Sequence, residues 1–285
     1  MKKFFIAVIA LMMTVSVSAQ FYIYLSNGEV LQADSISIVA PSIPNPSTPS
    51  GDGILSGAFS VGESTQVHFS QGNLQYQAST QTWRFAENQY DYIGDDNSNI
   101  SASYSGWIDL FGWGTGNNPT NSSTNSNDYS TFVEWGVNAI SNGGNEANLW
   151  RTLTKDEWVY LFNTRADASA KYGQATVAGV HGIIVLPDVY EGTAINTDHS
   201  AYSNNTISAE AWAAYEANGA VFLPAVGNRN GTVVGNVGSD GYYWSSTPLG
   251  ESSVCSLAFD SDHLYPQSNY KAKKVGLSVR CVSID

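Results

Sequence analysis

A chain of 285 residues is long enough for one sizeable domain or two small ones. Its formal charge of −13 argues against partners such as nucleic acid or anionic lipid. Only 13% of the residues are charged, so Ser, Thr, Asn and Gly supply most of the polarity, as in exported, loop-rich domains.

The first 19 residues, MKKFFIAVIALMMTVSVSA, place two lysines before an apolar run and small residues at its end. That is the pattern of a secretory signal peptide with cleavage after Ala19. The run is too short to span a bilayer, no later segment is apolar enough to do so, and export without membrane insertion is expected. The destination is the cell surface, the extracellular space or the periplasm.

Residues 20–39 predict a β-hairpin around Asn27-Gly28. A lone hairpin is marginal in water, so this one is expected to pack on the main domain or on a surface-assembly partner. Pro41, Pro44, Pro46 and Pro49, set among Ser, Asn and Gly, make residues 40–53 an extended linker. The main domain is then residues 54–285.

Residues 54–85 read as two hairpin-like strand pairs. Residues 95–149 form a long polar region carrying Trp107, Trp113 and Trp135, for which core packing is expected ahead of sugar stacking. Within it Asp95, Asn97 and Asn99 alternate like the start of a calcium loop. Position six is Ile100 rather than Gly and no Glu follows at position twelve, so a structural calcium is a weak reading here, and no other cofactor is indicated.

Two helices are predicted. Thr154 and Glu157 make a capping box ahead of Trp158, Leu161 and Phe162, and Ser208 caps a second helix ending at Gly219. GVHGIIVLP, GAVFLP, SSVCSLAF and KVGLSVRCVSI read as strands.

Catalytic signals are weak. Ser245 lies outside any Gly-x-Ser-x-Gly elbow, and His68, His181, His199 and His263 share no metal-ligand spacing. Two cysteines in an exported chain favour a disulfide between Cys255 and Cys281. It would close a loop of about 27 residues and add about 3–4 kcal/mol. Two buried thiols are the alternative.

Several motifs together resemble a known family. WRTLTKDEWVYLF is similar to the helix start of formylglycine-generating-enzyme-like and C-type-lectin-like domains. Leu223-Pro224, Gly227 and Arg229, then Tyr243–Thr247, then Gly276–Val282 resemble the closing half of the Fibrobacter succinogenes major paralogous (FISUMP-type) domain of Bacteroidetes. The resemblance covers roughly residues 60–285. It implies an α+β, C-type-lectin-like fold with two helices, short antiparallel strands and long structured loops. The cysteine pair used by formylglycine-generating enzymes has no counterpart in SDHLYPQSNYKAKK, so a non-catalytic relative is implied, with no catalytic residue. The terminal loop carries Asp260, Asp262, His263, Tyr265, Gln267, Asn269 and Tyr270, the composition of an adaptable binding surface. The expected function is binding of a glycan or protein. A structural component of a surface appendage and a formylglycine-type enzyme are the alternatives.

Overall fold

The computed structural model describes the backbone of Phe21–Tyr24 and Val30–Ala33 and then residues 52–283, excepting the side chains of Asn269 and Tyr270. The signal peptide, the Asn27-Gly28 turn and nearly all of the proline linker lie outside the described residues. The chain divides into two compact units, Met1–Ile43 and Pro44–Asp285. In the first, β1 (Phe21–Tyr24) and β2 (Val30–Ala33) pair antiparallel, with Phe21 opposite Ala33 and Tyr24 opposite Val30.

The second unit opens with two hairpins, β3 (Phe59–Ser60) with β4 (Gln66–Phe69) and β5 (Leu74–Gln77) with β6 (Thr82–Phe85). β7 (Trp107–Ile108) joins the far edge of β5, and β8 (Arg151–Thr152) leads into helix α1 (Lys155–Val159). The capping box forms as read: Thr154 Oγ1 accepts from the Glu157 N–H, and the Thr154 N–H donates to Glu157 Oε2 at 2.7 Å. The helix then loosens into a π turn over Tyr160–Thr164, a change that the i, i+3, i+4 stripe does not foretell.

β9 (Tyr172–Val177) and β10 (Val180–Val185) form the next hairpin, flanked by β11 (Thr206–Ile207) and β12 (Val221–Pro224). Between those two flanking strands runs α2 (Ala209–Ala217). Its N-terminus is capped by Ser208, and Gly219 beyond its C-terminus is at φ +84°, a conformation that excludes most side chains. β13 (Asn228–Asn230) and β14 (Val233–Gly235) form a short hairpin. β15 (Gly241–Pro248), β16 (Ser253–Phe259) and β17 (Leu264–Ala272) form an antiparallel meander. β18 (Val275–Gly276) adds to β13, and β19 (Cys281–Ser283) inserts between β4 and β8.

Among the described residues, the helices α1 and α2 and many short, mostly antiparallel strands make the fold α+β. The expected terminal strand KVGLSVRCVSI is broken in two. Leu277 bridges to Phe111 and Ser278 to Tyr243 before Cys281 reaches Thr152, so one segment serves three sets of partners. No helix among the described residues is long and apolar enough to cross a membrane.

Burial explains most of the aromatic content. Trp158 of α1 packs with Phe59, Phe69, Tyr243 and Phe259 in one cluster. Trp113, Trp135, Trp150 and Trp244 pack with Phe111, Leu277 and Cys281 in another, and Trp212 of α2 meets Phe222 in a third. Trp113 and Trp135 are therefore core residues rather than sugar platforms. Fully burying such side chains contributes about 1.5–3 kcal/mol each.

The expected Cys255–Cys281 bridge is not formed. Cys255 lies on β16, between β15 and β17, while Cys281 lies on β19, between β4 and β8, and the two strands never pair. Burial raises both thiols above their ordinary range, Cys281 strongly.

Candidate functional site

Ser245 answers for itself. It is fully buried, its hydroxyl donates to the Cys255 carbonyl at 2.6 Å, and the neighbouring Trp244 indole donates to the Phe111 carbonyl. Both groups are committed to scaffold. Arg229 and Arg280, the two arginines of the terminal motifs, are equally buried. Arg229 donates to the carbonyls of Leu110 and Gly231, and Arg280 to Gln89 Oε1 at 2.7 Å and Asn73 Oδ1. They tie distant loops to the sheets and reach no surface.

The weak calcium set comes apart. Asn97 is buried and its carboxamide is used up: Nδ2 donates to Gly94 O and to Asp109 Oδ1 at 2.7 Å, and Oδ1 accepts from the N–H groups of Asp109 and Leu110. Asp95 and Asn99 are exposed on the surrounding 3-10 turn. An amide with all its hydrogen-bonding capacity spent offers nothing to a cation.

The terminal loop is more productive. β15, β16 and β17 frame a cleft of about 240 Å³ lined by Asp240, Tyr242, Asp260, Tyr265, Ser268 and Lys271, over a floor of Ala258 and Phe259. The Lys271 ammonium sits 3.4 Å from the centroid of the Tyr242 ring. The Tyr242 hydroxyl donates to Asp240 Oδ2 at 2.8 Å. Burial first, and the Asp240 carboxylate second, push the Tyr242 hydroxyl up to about 12, so it stays protonated as a donor. Burial also lowers the Lys271 ammonium, against the pull of Asp240.

The register of β17 decides which loop residues share this cleft. Ala258 faces Tyr265, Ser256 faces Ser268 and Val254 faces Lys271, so each two-residue step on β16 meets three residues on β17. Two bulges of this kind carry Tyr265, Ser268 and Lys271 onto one face. Strict alternation would have joined Tyr265 with Gln267 and Asn269 instead. Gln267 is exposed but outside the cleft, and Asn269 and Tyr270 lie on the same strand with side chains outside the described residues.

At the turn between β16 and β17, Asp260 Oδ1 accepts from the N–H groups of Asp262 and His263 at 3.1 and 2.8 Å. Burial raises the Asp260 carboxyl, but those donors and the imidazole outweigh it and hold it below the ordinary range. The hydrogen bond to Asp260, reinforced by the charge of Asp262, raises the His263 imidazole. His263 in turn stacks on Tyr265, with centroids 5.7 Å apart and planes 8° from parallel, and holds that ring half-exposed at 51%. The ligand atoms of Asp260, Asp262 and His263 lie within 4.8 Å of one another, so these are the residues that could hold a cation. All sit on an exposed turn rather than in a deep pocket.

The structure thus places Asp260, Asp262, His263 and Tyr265 side by side. It adds Asp240, Tyr242, Ser268 and Lys271, which sequence reasoning missed. The Tyr242-Tyr243-Trp244 run held a usable signal, because alternation on a strand puts Tyr243 in the core and Tyr242 on the opposite face.

A protein-family model described as a domain of unknown function (DUF8237) matches residues 189–282, about a third of the chain. No curated protein and no solved structure matches significantly. The matched span contains the whole cleft. It is not a separate structural body, since its β12 pairs with β10, and its β19 with β4 and β8.

Proposed function

We propose that this is an exported, non-catalytic binding module of C-type-lectin-like, FISUMP-type fold that captures a glycan in the cleft above β15–β17. One observation carries the reading: a half-exposed Tyr265 ring, braced by His263, stands beside two carboxylates and a half-buried lysine. An aromatic face offers the apolar side of a sugar ring a stacking surface. Asp240 and Asp260 can accept from its hydroxyls, while Ser268 and Lys271 can donate to them. Few polar groups around an apolar floor are what a small-molecule site needs for orientation. The acidic chain charge supports a neutral ligand over nucleic acid. The exposed, shallow placement of Asp260, Asp262 and His263 supports binding over a formylglycine-type reaction, as does the burial of Ser245 and both cysteines.

The test is an immobilised-glycan screen, run with and without EDTA, on the protein and on Tyr265→Ala and Lys271→Ala. Capture should fall by about tenfold or more in Tyr265→Ala, on the scale of a lost aromatic contact with its burial. Capture unchanged in both variants would remove the cleft from consideration.

A second reading is an assembly role. β1 and β2 pair with each other and with no further strand among the described residues, the arrangement that strand addition by a partner requires. Deleting residues 20–39 should then abolish assembly and leave glycan capture intact.

A further inference from the structure

A larger cavity, of about 540 Å³, lies away from the β15–β17 meander. Its polar lining is Gln75 of β5, Arg84 of β6, and Glu87, Tyr90, Asp91 and Tyr92 of the loop that follows. Ala178 and Val180, at the turn between β9 and β10, supply an apolar wall. The volume falls within the range of about 300–1,000 Å³ usual for ligand sites.

Gln75 is the informative residue. It is only 2% exposed. Its Oε1 accepts from Arg84 Nε at 2.9 Å, which fixes the orientation of the amide, because a flipped amide would set donor against donor. The Nε2 group therefore has its two hydrogens left over, and it makes no hydrogen bond among the described residues. Gln75 lines the cavity, so an oxygen of a molecule seated there can accept from that amide. Arg84 is held in place as well: its guanidinium lies 3.8 Å from the centroid of the Trp107 ring, and its Nη1 is a long 3.9 Å from Glu87. An exposed pair at that distance contributes little and is easily displaced.

The charge pattern selects the ligand. Two carboxylates, Glu87 and Asp91, share the cavity with one guanidinium, in a chain of net charge −13. An anion would be repelled there. A neutral, hydroxyl-rich ring meets both kinds of group, since each hydroxyl donates to a carboxylate and accepts from the amide or the guanidinium. Tyr90 and Tyr92 add aromatic area. We propose that this cavity is a second saccharide subsite, taking a neutral sugar unit through Gln75, Arg84, Glu87 and Asp91 and making the domain bivalent. The ligand class follows the reading of the β15–β17 cleft, but the site itself is independent of it.

The experiment uses the purified protein carrying Tyr265→Ala, with ¹⁵N-labelled tryptophan, titrated with cellohexaose, mannohexaose and xylohexaose. The indole resonance of Trp107, assigned by its loss in Trp107→Phe, reports this cavity and not the cleft. The expected result is a saturable shift with at least one of the three sugars, weakened about tenfold or more by Gln75→Leu and severalfold by Glu87→Gln. Glu87 is an exposed side chain, so Glu87→Gln remains informative even where Gln75→Leu fails to fold. A Trp107 resonance unmoved by all three sugars, or titrating in both variants as it does without them, would overturn the proposal. Failure of the cleft reading would appear instead as glycan capture indifferent to Tyr265→Ala, with the Trp107 shift intact.

Discussion

Asp109 offers the sharpest quantitative test of the interior. It is fully buried, and burial raises its carboxyl from 3.8 to about 6 even though Asn97 Nδ2 and the Ile93 N–H both donate to it. Below about pH 3.8 the group is protonated in both the folded and the unfolded chain. As pH rises the unfolded chain ionises first, so stability falls from about pH 4 and the loss is complete above about pH 6. A rise from 3.8 to about 6 is worth about 3 kcal/mol. Asp109→Asn removes that penalty. It also turns one acceptor into a donor facing a donor, because Asn97 cannot flip while its Oδ1 holds the Asp109 and Leu110 N–H groups, at a cost of about 1–3 kcal/mol. The variant should therefore be the less stable protein near pH 4, by about 1–3 kcal/mol, and between equal to the parent and about 2 kcal/mol more stable near pH 7. Urea unfolding of both proteins across that interval measures the difference, in which every other titrating group cancels. A gap between the two that stays constant from pH 4 to pH 7 would refute the reasoning.

Three further outcomes follow from particular groups. A thiol titration in denaturant should count two thiols, and a reductant should leave the melting temperature unchanged, whereas a Cys255–Cys281 bridge would show a loss of about 3–4 kcal/mol on reduction. Thr154→Ala breaks the capping box at the start of α1 and should destabilise the domain by about 1 kcal/mol in chemical denaturation; no change would mean that the helix start is held by packing alone. The raised His263 imidazole, supported chiefly by Asp260, steadies its turn fully below the unfolded value near 6.5 and loses that effect as pH climbs through its higher folded value. In Asp260→Asn its NMR titration midpoint should move down, and a midpoint that stays put would detach the histidine from that carboxylate.

Much of the framework was legible in the chain. The capping box at Thr154, the Ser208 cap, the Gly219 stop and the strands GIIV and VFLP all follow from local rules of spacing and backbone freedom, and all form. What stayed hidden depends on partners distant in sequence. A cysteine pair reads as a bridge until β16 and β19 are found in separate sheets. Asp95, Asn97 and Asn99 read as alternating ligands until Asn97 closes on Asp109 twelve residues away. The cleft itself was half seen: Asp260 and Tyr265 were marked by composition, but Ser268 and Lys271 reach it through two bulges that no alternation pattern reveals, while Tyr242 comes from β15 and Asp240 from the residue just before it.

The most direct measurement is a crystal structure of the protein with whichever oligosaccharide it captures best. A sugar ring should stack on Tyr265 with its hydroxyls reaching Asp240, Asp260 and Lys271. A ring seated with none of these residues in contact, or a protein that captures no glycan at all, would contradict it.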